Sequence, residues 1–156
     1  MASFTTSLPL YVTIGVRKKK NIYFNYNRVM QLHFQQRNQI KKLFMNIVKK
    51  NLESCPKFTG KVYITYTVYK PSKRRYDVMN VVSIVDKFFQ DTLVEEGKLQ
   101  DDNYTIVPVI TGIHGGISKS NPRVEVTIEE ISEEVYQKDL KEAHENYKDC
   151  FSEEII

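Results

Sequence analysis

The sequence has no tryptophan, only two cysteines and only six glycines in 156 residues. Two cysteines, Cys55 and Cys150, are too few for a disulfide framework or a four-ligand zinc site. They read as reduced thiols of a cytoplasmic protein. Long apolar runs are missing too. The longest early one, Leu8 to Val16, falls short of a membrane span, and its basic residues follow it instead of preceding it as in a signal peptide. No repeat or low-complexity linker divides the chain, and its length supports one domain with a core of its own. Acid is nearly absent from the first half. Residues 1–75 hold 16 Lys+Arg against the single Glu53, a charge of +15, whereas residues 76–156 hold 7 against 18 acids, or −11. The net +4 hides a polyanion-facing half and an acidic half. Mutual attraction of the two halves within one fold is the plainer reading.

What is present is patterned. Leu8 to Val16 is rich in β-formers and reads as a first strand, followed by a basic turn, Arg17-Lys18-Lys19-Lys20. From Arg28 to Lys50 the spacing of Ile40, Leu43, Phe44, Ile47 and Val48 predicts one helix. Lys61 to Lys70 alternates cleanly as a strand, and Pro71 ends it before the basic loop Ser72-Lys73-Arg74-Arg75. Asp77 stands as an N-cap before a second helix, Val78 to Val94. On a helical wheel Val81, Val82, Val85, Phe88, Phe89 and Leu93 share an apolar arc, opposite a polar stripe of Asn80, Ser83, Asp86, Lys87, Gln90 and Asp91. Gly97 closes that helix. Tyr104 to Thr111 reads as a strand with Pro108 at an edge or bulge, Gly112 to Gly116 as a turn, and Arg123 to Ile131 as a last strand. The fold class expected is α/β (α+β): a mixed sheet packed by two main helices over residues 1–131. An acidic tail, residues 132–156, is left as either helical or partly disordered.

Three carboxylates stand where chemistry is plausible. Asp77 lies at a strand–loop–helix corner, and Asp101 and Asp102 at the start of the following segment. Converging ends of this kind give the oxygen-rich cluster that hard cations prefer, with Lys73, Arg74, Arg75 and Lys87 beside it to hold phosphate. Taken singly, Asp77 is more often a cap, Asp101-Asp102-Asn103 a turn, and Asp86 and Asp91 surface partners of Lys87. His33 and His114 read as surface or structural residues.

The ordered set is more informative than its parts. Arg74-Arg75, Asp77, Asn80, Lys87, Asp91-Thr92-Leu93, Gly97 and Asp101-Asp102 fit in order a pattern of basic pair, Asp-x-Asp-Asn, lysine-bearing helix, Asp-x-Leu, glycine and Asp-Asp. The run Arg74 to Asn103 thereby resembles the RusA-type Holliday-junction resolvases, crossover junction endodeoxyribonucleases common in phages and prophages. Asn25-Tyr26-Asn27-Arg28 with His33, and the strand from Arg123 to Ile131, extend the resemblance over residues 8–131.

The resemblance implies a homodimer that cuts branched DNA with Mg²⁺, Mn²⁺ being able to substitute, without a small-molecule cofactor or a membrane. It implies Asp77 and Asp102 as catalytic carboxylates, Asp101 as helper, and Lys87 at the scissile phosphate. Arg17 to Lys20, Lys73, Arg74, Arg75 and Asn80 would meet the DNA. Two departures stand out. Met79 replaces the second aspartate of Asp-x-Asp-Asn, and about one extra helical turn separates Asn80 from Lys87. Asp86 is the candidate to supply the missing carboxylate. Two other readings remain open: a non-catalytic DNA-binding member of the same fold, and a basic RNA- or protein-binding module.

Overall fold

Proline decides how the chain begins. In the computed structural model, which describes residues 1–147, strand β1 runs Ser3–Leu8 and stops at Pro9, whose missing N–H cannot continue a ladder. The expected single strand from Leu8 to Val16 is therefore two pieces. After the break, β2 (Tyr11–Ile14) pairs antiparallel with β3 (Lys20–Tyr23) in a separate ribbon, with Val12 opposite Ile22 and both buried. Arg17 to Lys19 form its exposed tip, as the basic-turn reading expected.

The helix predicted from Arg28 to Lys50 is also two. Helix α1 is Tyr26–Gln31, capped by Asn25, whose side chain accepts from the Arg28 N–H. Helix α2 is Phe34–Asn51, and its N-cap is His33, whose ring accepts from the Gln35 N–H. Leu32 between them is extended, with ψ 152°. Histidine is not among the preferred caps, so the pattern carried no stop signal at this point.

Strand β4 (Lys61–Lys70) and helix α3 (Val78–Glu95) match their expected ranges within a residue. Between Asp101 and Pro108 the chain forms turns where a strand was expected, and β5 runs Val109–Ile117 instead. The expected Gly112–Gly116 turn is thus the middle of a strand. Its glycines serve close packing. A Cβ on Gly112 would lie 3.0 Å from Val82 on α3, and one on Gly115 would lie 2.6 Å from Thr67. Strand β6 (Arg123–Ile131) and helix α4 (Glu133–Tyr147) complete the described chain. The first part of the acidic tail is therefore helical, and residues 148–156, with Cys150, lie outside the described residues.

The four-stranded sheet has the order β1-β6-β4-β5 and is mixed: β4 is antiparallel to β6 and parallel to β5. A parallel pair needs a crossover, and α3 supplies it. Val62, Ile64, Tyr66 and Val68 of β4, with Val124, Val126 and Ile128 of β6, present one buried face to α2 and α3. Phe24, Phe44 and Phe88 lock the hairpin segment and both helices together, with ring centroids 5.5 to 6.1 Å apart. The opposite sheet face carries Thr5, Thr127, Thr65 and Thr111 in one cross-strand row. Helix α4 touches that face at one end, where Tyr63 donates to Asp139 at 2.8 Å and Lys61 lies 3.7 Å from Glu133. This is a small α+β domain with a mixed sheet, as the sequence predicts. Among the described residues, no helix is long and apolar enough to cross a membrane.

Candidate functional site

The basic loop and Asp77 come together as expected, in company that the spacing did not foretell. Lys70 ends β4, Pro71 breaks it, and residues 72–76 turn the chain into α3. Asp77 caps that helix, its carboxylate accepting from the Met79 N–H at 2.9 Å, and remains exposed. Between this corner and α1 lies a cleft of about 610 Å³, lined by Arg28, Lys70, Arg74, Arg75 and Asp77 among others. Asn25 and Asn27 add amides, and Tyr23 and Tyr76 add rings. Four cations and one carboxylate line it. The α3 N-terminus adds its own partial positive charge.

Lys70 and Arg28 are the cationic residues that sequence reasoning missed, Lys70 because it reads as the end of a strand and Arg28 because it reads as part of a helix. The Lys70 ammonium lies 5.8 Å from the centre of the Tyr23 ring and 5.0 Å from that of Tyr76. Burial, and next the charge of Arg74, lower its pKa below the ordinary lysine value. The position just before Pro71, on a strand feeding a loop, was the available signal. Tyr76 in turn bonds His114 of β5 at 2.6 Å, which ties the basic loop to the sheet and gives His114 the structural part expected of it. Lys73 lies on the loop's other side, and Asn80 sits in the first turn of α3, outside the cleft lining. Arg17 to Lys20 lie toward the far end of the ribbon whose near end, Tyr23, enters the cleft.

The other predicted carboxylates are elsewhere. Asp102 shares a surface hollow with Lys41, Asp91 and Glu95, beside the C-terminal half of α3. Asp91 lies 14 residues beyond Asp77, roughly 21 Å along the helix axis. Asp101 forms a turn, its two oxygens accepting from the Asp102 N–H at 2.7 Å and the Asn103 amide at 2.8 Å. These bonds lower the Asp101 pKa; desolvation first, and then bonding of its carboxyl to that of Asp101, raise the pKa of Asp102.

Asp86 does not replace the carboxylate missing at Met79. It lies nine residues past Asp77, about 13 Å along α3, and turns toward the sheet. Tyr66, buried in β4, donates to it at 2.5 Å and Gln90 at 2.8 Å. The polar stripe is therefore interrupted: Asp86 and Gln90 belong to the packed side of the helix. Asp91 does not pair with Lys87 either, but with Lys41 of α2 at 2.6 Å. Lys87 faces α1 and α2. Among the described residues, no three His, Cys, Asp or Glu side chains are grouped to hold a metal ion. The described residues of one chain do not fit the Mg²⁺ site that the resemblance implies.

The half-buried Asp86 makes a pH prediction. Burial pushes its carboxyl above the ordinary range, the bonds from Gln90 and Tyr66 pull it down, and Asp102 and Asp91 push it up, with a net rise. Between the ordinary value and the raised one, the folded protein holds a proton that the unfolded chain has lost, so stability falls as pH rises. Asp86→Asn cannot titrate. Its stability relative to the parent should increase with pH through that window and then level off, in urea melts at stepped pH. A pH-independent difference would contradict this account.

No protein-family model matches the chain, and none of the curated proteins matches it.

Proposed function

We propose that the protein is a Mg²⁺-dependent, structure-selective endodeoxyribonuclease that resolves four-way DNA junctions by paired cleavage, working as a homodimer. The observation that carries this reading is the cleft that Arg28, Lys70, Arg74 and Arg75 line together with the single carboxylate of Asp77. Such a cleft suits a phosphodiester, because the cations grip backbone oxygens whatever the sequence. The motif resemblance supplies the junction and the metal.

Because one chain holds Asp77 and Asp102 at opposite ends of α3, the reading requires two chains. Strand β5 supports a place for the second. It is an edge strand with no charged residue, and Ile110, Ile113 and Ile117 are each more than 40% exposed on it. Exposed edges are ordinarily blunted by charge, proline or brevity. The other edge, β1, is a shorter strand with serines and threonines. Antiparallel pairing of β5 with its copy would make one continuous sheet, with both α3 helices on one face running in opposite directions. The partner's Asp101–Asp102 end would then lie alongside the Asp77 end.

A second reading, a non-catalytic DNA-binding member of the fold, is favoured by Met79 in the carboxylate position. One experiment separates them. The protein is incubated with an immobile four-way junction and with linear duplex, with and without Mg²⁺, across a salt series. Preferential binding of the junction, weakening steeply with salt, and paired nicks only with Mg²⁺ are expected. Binding without nicking at any Mg²⁺ concentration would replace the first reading by the second, and failure to bind DNA at low salt would overturn both.

A further inference from the structure

A second cationic hollow lies on the other side of α1 from the Asp77 cleft. It measures about 280 Å³, and its walls include Met30, Phe34, Arg37, Asn38 and Lys87. Two features make it more than a surface dimple. The Nε of Arg37 is buried without a hydrogen-bond partner, and the polar contact of its guanidinium is a long one, 3.9 Å to the Met30 sulfur. Among the described residues neither Arg37 nor Lys87 has a carboxylate within 4.0 Å, whereas the neighbouring Lys41 is already paired with Asp91. An unpartnered buried donor is costly, and an anion in the hollow that bonds the outer nitrogens of this guanidinium offsets its unpaired charge. The second feature is Phe34, 56% exposed on the first turn of α2 and backed by the His33 ring at 4.6 Å. A phenylalanine held open at the rim of a cationic hollow offers a stacking surface.

We infer that this hollow binds one unpaired nucleotide of a DNA strand, its base stacked on Phe34 and its phosphate on Arg37 and Lys87. Base-on-ring stacking beside a cationic track is how single strands are held without sequence preference. Asn38 adds an amide that can bond a base edge. The hollow and the Asp77 cleft are separated only by α1, about 10 Å across with its side chains, so a strand leaving the cleft past Arg28 reaches Phe34 directly. The inference deepens the DNA reading of the cleft and rests on it: a branch point is where unpaired nucleotides become available. It also gives Lys87 a phosphate to hold at the place where it stands.

The test uses the full chain, a short oligothymidylate carrying one 2-aminopurine, and a blunt duplex of equal length. The parent should bind both and quench the 2-aminopurine on the single strand. Phe34→Ala should abolish quenching and weaken single-strand binding by about tenfold, and Phe34→Trp should retain both. Arg37→Gln should weaken it several-fold and flatten the log–log salt slope by about 0.7. Duplex affinity should change less than about twofold in all three, since duplex binding draws on the cleft. Parent-like quenching and affinity in Phe34→Ala would overturn the hollow, as would a parent that binds duplex but leaves the single strand unbound. A parent that binds neither would overturn the cleft reading with it.

Discussion

An equimolar mixture of Asp77→Asn and Asp102→Asn proteins is expected to recover about one quarter of the parent's junction nicking, although neither variant nicks alone. Each substitution by itself should lower cleavage by at least about 100-fold, the scale of removing one group that stabilises developing charge. Recovery follows from where the two carboxylates stand. Asp77 caps the start of α3, and Asp102 shares a hollow with Asp91 near its end. If each site draws Asp77 from one chain and Asp102 from the other, a mixed dimer holds one intact site and one doubly defective one. Random pairing makes half of the dimers mixed, hence a quarter of the sites. Those dimers would leave single nicks, not paired cuts, which a cruciform plasmid distinguishes as open circles against linear product. A mixture as inactive as its components, with dimers shown to exchange, would exclude a shared site. Asn at Asp77 keeps a side-chain oxygen to cap α3, so loss of folding does not imitate loss of activity.

The fold was legible wherever pattern and local chemistry agreed. Strand β4 alternates with β-branched and aromatic residues and lies where its period put it, and Asp77 caps α3 as its position before an apolar arc required. The errors have two causes. Pro9 and the His33 cap interrupt locally an apolar pattern that runs on past them, whereas the path through Gly112 to Gly116 depends on partners distant in sequence. Glycine looks like a turn until the α3 side chains against Gly112 and the β4 side chains against Gly115 are known. The same holds for the site. Arg74, Arg75 and Asp77 are close in sequence and meet in space, with Arg28 brought in by α1. The wheel puts Asp86 on the polar stripe, but β4 supplies Tyr66 to its face, and a helical wheel cannot see a strand. Asp101 and Asp102 follow α3 by only a short loop. The chain leaves that helix some twenty residues after entering it, and so about a helix length from Asp77.

Phe44→Ala should lower the unfolding free energy by about 3–5 kcal/mol, read as a shifted urea midpoint at unchanged slope. Phe44 is fully buried where three elements meet: its ring lies 5.5 Å from Phe24, which follows β3, and 5.8 Å from Phe88 on α3. Removing it leaves a hole that neither neighbour can fill without breaking its own contacts, and a domain of this size has only about 5–15 kcal/mol in hand. Phe44→Leu fills most of that space and should cost about half as much or less. A loss below about 1 kcal/mol for the alanine variant would show that the cluster is not the keystone of the core. The same triad bears on the site. Phe24 immediately precedes Asn25, the cap of the helix that carries Arg28, and Phe88 belongs to the helix that Asp77 caps. The ring contacts therefore hold the two walls of the cationic cleft at their separation. At temperatures where Phe44→Ala is still folded, its junction affinity should fall by more than that of Phe44→Leu, in step with the loosened walls. Equal affinities in the two folded variants would separate the core from the cleft.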